Sequence, residues 1–191
     1  MGPDESEIVS IEDKARQIKL LLFDVDGVLT DGRVTIHADG TESKSFGIRD
    51  GIAMVWAQRA GIRVGLLSAR LSATTPHRAA QLGITLVYHG VSSKLETYDK
   101  ILADLGLTDE DVAYMGDDVV DLAVLMRAGL SAAPADAVDE VRSRVNWVSS
   151  RAAIDGAARE LVELVLKSQK LWDGVVTSYL DEARVPTPGR K

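Results

Sequence analysis

Short apolar runs alternate with amphipathic stretches along most of the chain. Lys19–Phe23 (KLLLF) is a compact apolar run ending at Asp24. Val64–Leu67, Thr85–Tyr88, Val112–Met115 and Leu130–Ala133 repeat that design. Runs this short and this apolar read as buried strands. Between them the period changes. From Asp50, the expected N-cap, Ile52, Val55, Trp56 and Arg59 recur at helical spacing until Gly61. Pro76–Leu82 is helical up to Gly83, and Ser93-Lys94-Leu95-Glu96 has the capping-box spacing that opens a helix to Leu105. Val119–Ala128, Ala137–Arg144 and a long amphipathic stretch over 152–170 complete the helices, with Asn146–Val148 as an added edge strand. Residues 34–46 differ: Val34, Ile36 and Phe46 flank Ala38-Asp39-Gly40, an Asp-Gly hairpin signal.

Strands alternating with helices predict an α/β fold, a Rossmann-like parallel sheet with helices on both faces. The expected organisation is a polar, frayed extension over 1–17, one domain over 18–173 with a β-hairpin flap at 34–46, and a flexible tail over 174–191.

Composition narrows the field. The 191 residues suit a single domain, and there is no cysteine, which removes disulfides, thiolate metal sites and a cysteine nucleophile. The net charge of −7 speaks against nucleic-acid binding. The start, MGPDESEIVS, is acidic without an apolar core, and no apolar run is long enough to span a bilayer, so a cytoplasmic protein without membrane contact is expected.

In open parallel sheets, ligands bind beyond the carboxyl ends of the strands. The first strand is followed by Asp24-Val25-Asp26-Gly27, the second by Ser68-Ala69-Arg70, the third by Lys94 at a helix start, and the fourth by Gly116-Asp117-Asp118 with Asp121 one turn on. For a phosphate monoester, each has a task. Asp24 can attack phosphorus as a carboxylate nucleophile, and Asp26 can exchange protons with the leaving alkoxide and then with water. Hard oxygen donors such as Asp24 and Asp117 suit Mg²⁺. Ser68 can hydrogen-bond a phosphoryl oxygen, and Lys94 adds charge to a helix N-terminus.

Taken singly, each residue has an ordinary reading: a turn, a strand-end serine, a solvated lysine, an N-cap. An EF-hand loop fails because Val28 and Leu29 stand where further ligands belong. The joint occurrence at successive strand ends carries the functional reading. His37, His77 and His89 are too dispersed for a metal triad, and His89 reads as a satisfied surface histidine.

These motifs resemble those of the haloacid dehalogenase superfamily: DVDGVLTDG at Asp24–Gly32, Ser68, Lys94, and GDDVVD at Gly116–Asp121. More narrowly, VLTDG, FGIRDG at Phe46–Gly51 and SAR at Ser68–Arg70 are similar to the capless branch of 3-deoxy-D-manno-octulosonate 8-phosphate and sialic-acid 9-phosphate phosphatases. The resemblance implies an aspartyl-phosphate at Asp24, with Asp26 as acid/base. It also implies Mg²⁺ held by Asp24, Asp117 and the main-chain carbonyl of Asp26, supported by Asp118 or Asp121. It gives Arg70 and Arg78 to the substrate's carboxylate and phosphate, no cap domain, and a homotetramer built on the hairpins. Ser68-Ala69-Arg70 departs from the common Thr-Gly-Arg, and Ile52 stands where relatives often carry an aromatic.

The expected function is Mg²⁺-dependent hydrolysis of a small 2-keto sugar-acid phosphate. The alternatives are a phosphatase for another sugar phosphate or a non-catalytic oligomerisation module. A phosphomutase would need a cap, and a dehalogenase lacks the second acid, here Asp26.

Overall fold

The computed structural model describes residues 9–182. The chain opens with helix α1 (Ile11–Gln17) and strand β1 (Leu20–Phe23), then a small hairpin, β2 (Thr35–Ile36) and β3 (Glu42–Ser43). Helix α2 (Ile48–Arg59), β4 (Arg63–Ser68), α3 (Thr74–Gln81), β5 (Leu86–His89), α4 (Lys94–Leu105) and β6 (Val112–Met115) follow. The chain ends with α5 (Leu122–Leu125), β7 (Leu130–Ala133), α6 (Asp139–Arg142), β8 (Trp147–Val148), α7 (Ala157–Ser168) and α8 (Trp172–Glu182).

Six strands form one sheet in the order β5-β4-β1-β6-β7-β8, all parallel. Strand β1 is central, its Leu22 opposite Gly65 on one side and Tyr114 on the other. All four of its side chains are buried because alternate residues enter different cores. Leu21 and Phe23 pack with α1, α2 and α7, whereas Leu20 and Leu22 pack with α4, α5 and α6. Between β1 and α2 stands only the hairpin, so no cap domain covers the strand ends.

Four expectations need correction. Residues 11–17 are not frayed: Ser10 caps α1 by accepting the Asp13 N–H, and Ala15 is fully buried against the core with α7. The segment from 174 does not begin as a loose tail, because α8 runs to Glu182; Trp172 and Val175 rest on the core, and Trp172 stacks edge-on to Trp56 at 5.6 Å. The expected tail beyond 182 lies outside the described residues. Asp50 does not cap its own helix, which starts at Ile48 after Gly47. Its carboxylate instead accepts the Arg159 N–H at 2.9 Å, capping α7 from across the core. The long helix expected over 152–170 also begins later than its apolar period suggests, at Ala157, after a turn with Ile154 at positive φ.

Candidate active site

Strands β1, β4 and β6 end side by side, and their continuations bring the acids together. The Asp24 N–H donates to the Met115 carbonyl (2.9 Å), extending the ladder by one residue and fixing the backbone that carries the carboxylate. Asp24 is buried. Lys94, the first residue of α4, reaches in from the side behind its Ser93 cap. Its ammonium lies 3.0 Å from Asp24 Oδ1 and 2.6 Å from Asp121 Oδ1.

Asp121 is wholly buried and fully engaged. Oδ1 accepts from Lys94 and from the hydroxyl of Tyr114, while Oδ2 accepts the N–H groups of Asp117 (3.2 Å) and Asp118 (3.4 Å). It thereby shapes the turn after β6. Gly116 is needed in that turn, since a Cβ there would sit 2.5 Å from the Asp121 side chain. Asp118 points outward and accepts the Val119 N–H at 2.6 Å.

Asp117 is different. Its Oδ1 is buried without a hydrogen-bond partner. Its other oxygen lies where a Cβ on Gly27 would fall, 2.0 Å away, and Gly27 holds φ +84°, so glycine serves that position twice over. Carboxylate oxygens of Asp24, Asp117 and Asp121 all lie within 4.8 Å of one another. Burial, then the Asp121 charge, pushes the Asp24 carboxyl up to about 7 despite Lys94. Burial, then Asp24, pushes Asp117 up to about 8. Burial disfavours the charged Lys94 but is outweighed by Asp24 and Asp121, so its pKa is raised. An orphaned buried carboxylate oxygen among crowded acids is the arrangement a hard divalent cation relieves, so the residues fit Mg²⁺.

Asp24, Lys94 and Asp117 border an open crevice of about 280 Å³, whose other walls include Asp26, Ser68 and Arg70. Ser68 is buried, its hydroxyl accepting the Arg70 N–H. Arg70 reaches the mouth and is held by Glu42 of β3 at 2.6 Å. Arg78 does not reach the crevice. Its guanidinium donates to the Gly47 carbonyl (3.2 Å) and lies over the Phe46 ring, tying α3 to the start of α2. The expectation that it faces the substrate is corrected: the structure engages Arg78 with the backbone of Gly47 and the Phe46 ring, away from the crevice. Residues outside the expected set also appear: Tyr114 beneath Asp121, and Lys44, which holds Asp26. Only the Glu42-x-Lys44 alternation could have signalled Lys44, since residues two apart share one face of a strand.

The sequence relationships agree with this geometry. The model of the haloacid dehalogenase-like hydrolase family matches residues 67–161. The chain is 39% identical over 183 residues to the 3-deoxy-D-manno-octulosonate 8-phosphate phosphatase KdsC of Escherichia coli (strain K12), spanning 96% of this chain and 92% of that protein. The chain belongs to the haloacid dehalogenase-like hydrolases. Among solved structures of these hydrolases, the 3-deoxy-D-manno-octulosonate 8-phosphate phosphatase from Yersinia pestis superposes with a TM-score of 0.85 at 37% identity, covering 86% of this chain and 89% of that one. The enzyme of the same name from Moraxella catarrhalis, solved with magnesium ion, phosphate ion and a KDO molecule, gives 0.86 at 32% identity, covering 88% and 97%.

Proposed function

We propose that this hydrolase is a Mg²⁺-dependent phosphatase acting on the phosphomonoester of a 2-keto sugar acid, with 3-deoxy-D-manno-octulosonate 8-phosphate as its substrate. The observation that carries the reading is the Asp24–Lys94–Asp117 constellation on the crevice floor, in a chain related along nearly its whole length to phosphatases of that ester. The Asp24 carboxylate attacks phosphorus, and the ester P–O bond breaks as Asp26 gives its proton to the sugar oxygen. Water then attacks the aspartyl-phosphate, losing its proton to Asp26 and freeing inorganic phosphate. Ser68 and Lys94 hold the phosphoryl oxygens through both steps. Asp24, Asp117 and the main-chain carbonyl of Asp26 would hold Mg²⁺, with Asp121 behind them. When bound, the metal would supply charge stabilisation and let neighbouring carboxylates remain ionised. Arg70, at the mouth, pairs with the sugar's carboxylate.

An open crevice leaves little to exclude water or select a sugar. The hairpin has two paired residues per strand and exposes Val34 and Ile36, so copies pairing through it into a homotetramer would both stabilise the flap and close the mouth. Light scattering at micromolar concentration checks this, and a clean monomer refutes it. No helix among the described residues is long and apolar enough to cross a membrane; a cytoplasmic setting is part of the proposal.

The test is hydrolysis of a panel of eight- and nine-carbon sugar-acid phosphates and simple sugar phosphates. Turnover should be highest on the eight-carbon ester, vanish in chelator, return with Mg²⁺ and return poorly with Ca²⁺, whose looser coordination would engage Asp24 on both oxygens. Full activity in chelator would remove the metal site, and preference for a nine-carbon ester would reassign the substrate.

A further inference from the structure

The side chain of Lys44 is closed off from solvent, 0% exposed. It lies one residue past β3, and its ammonium meets both oxygens of Asp26, at 2.6 Å and 2.9 Å. The Asp26 carboxylate is its sole hydrogen-bond partner among the described residues. Burying an ammonium on a single carboxylate is costly unless the pair is well placed. A surface salt bridge would have served to decorate the hairpin.

The surroundings give the pair a mechanical meaning. Glu42 shares a strand face with Lys44 and takes Arg70 Nη2 at 2.6 Å and the Ser72 hydroxyl. The hairpin ladder itself has only the pairs Thr35↔Ser43 and Ile36↔Glu42. So the flap is seated on the sheet by two clasps, one on the loop after β4 and one on Asp26. The second clasp grips the side chain to which the proposed mechanism gives proton transfer, and which remains one-quarter exposed at the crevice wall.

We propose that Lys44 is a positioning residue: its ammonium fixes the orientation of the Asp26 carboxyl, so that seating the hairpin and aligning the general acid are one event. This rests on Asp26 being the acid/base, and the experiment separates the two ideas. Aligning an acid matters most for a leaving group that needs a proton. A sugar alkoxide needs one; p-nitrophenolate does not.

Steady-state kinetics on a series of substituted phenyl phosphates and a simple alkyl phosphate, none bearing a carboxylate, would be compared for Asp26→Asn, Lys44→Met and Lys44→Arg. Lys44→Met keeps the apolar stem and removes the charge. Its kcat/KM on the alkyl ester should fall by ~10-fold or more, a part of the ~10²–10⁴ a general acid supplies, with under about threefold change on p-nitrophenyl phosphate. The dependence on leaving-group basicity should steepen accordingly. Lys44→Arg should recover much of the alkyl-ester rate, which keeps the test decisive if Lys44→Met folds poorly. Equal losses on both ester types, no loss, or failure of arginine to rescue would each overturn the positioning role. If Asp26→Asn itself shows no leaving-group dependence, the acid/base assignment falls and this inference with it. If Asp26→Asn shows it and Lys44→Met does not, only the inference fails.

Discussion

Two lysines grip carboxylates of the crevice from different mountings. Lys94 comes from a capped twelve-residue helix whose Tyr98, Ile101 and Leu102 are core, and it joins two buried carboxylates. Lys44 comes from a hairpin with two paired rungs and joins one carboxylate that still sees solvent. The chemistry of the two pairs is the same, but their attachment to the fold is not. A nucleophile must be held against phosphorus within a few tenths of an ångström, which a sheet and a packed helix provide. Proton delivery tolerates, and in an open site benefits from, a part that can seat and unseat. On the proposed mechanism, the site divides its work between a rigid floor and a clasped flap.

The floor should fail absolutely. Asp24→Asn keeps the volume and removes the proposed nucleophile, so turnover should fall by ~10³ or more while the thermal melt stays intact. Near-normal kcat would refute the covalent mechanism.

Stability should distinguish the two lysines next. Lys94→Met strands Asp24 and Asp121 in the core and should lower unfolding free energy by about 3 kcal/mol. Lys44→Met lets the hairpin lift from Asp26 without opening the core and should cost about 1 kcal/mol or less. Denaturant titration measures both, and equal losses would erase the distinction drawn here.

On the flap side, Arg70→Ala should lower kcat/KM on a sugar-acid phosphate by ~10²-fold, the loss of a charge-assisted contact, and barely alter p-nitrophenyl phosphate hydrolysis. Equal loss on both substrates would give Arg70 to the phosphoryl group instead.

The smallest effect concerns pH. Burial and crowding raise Asp24 to about 7 and Asp117 to about 8 from an ordinary 3.8. The folded state keeps protons that the unfolded chain releases near pH 4. For metal-free protein, this contribution to stability is present below pH 4 and is lost as pH rises toward 8. Mg²⁺ binds the ionised cluster, so its stabilisation should be greater at pH 8 than at pH 5.5, by roughly 3 °C in melting temperature, about 1 kcal/mol in a chain this size. Equal shifts at both pH values would mean that the acids are not crowded as described.

Much of this was legible in the sequence. The apolar runs at Lys19–Phe23, Val112–Met115 and Leu130–Ala133 mark strands within a residue, because a strand buried on both faces permits little polarity. Asp24, Asp117 and Lys94 could be singled out because Asp24 follows β1, Asp117 stands two residues past β6 and Lys94 opens α4. What escaped was set by tertiary contact. Asp50 has the composition of a local cap, yet its partner is the Arg159 N–H, more than a hundred residues on. Arg78 has helical spacing that says nothing of the Phe46 ring it covers. Lys44 looks like the edge lysine that keeps hairpins soluble until Asp26 folds beneath it. The α8 helix exposes most of its surface, so its pattern resembles a tail's.

The position of β1 has a consequence for biosynthesis. The strand bearing the proposed nucleophile is synthesised before every other strand of its sheet, but it lies in the middle of that sheet, with β4 on one edge and β6 on the other. At cellular elongation rates β6 and Asp117 follow on the order of seconds later. For that interval Leu20–Phe23 is a fully apolar strand with an open edge, the kind of segment that chaperones cover and that neighbouring nascent chains can capture. Catalytic competence and protection from aggregation therefore arrive together, when Val112–Met115 closes the second edge and sets its acids beside Asp24.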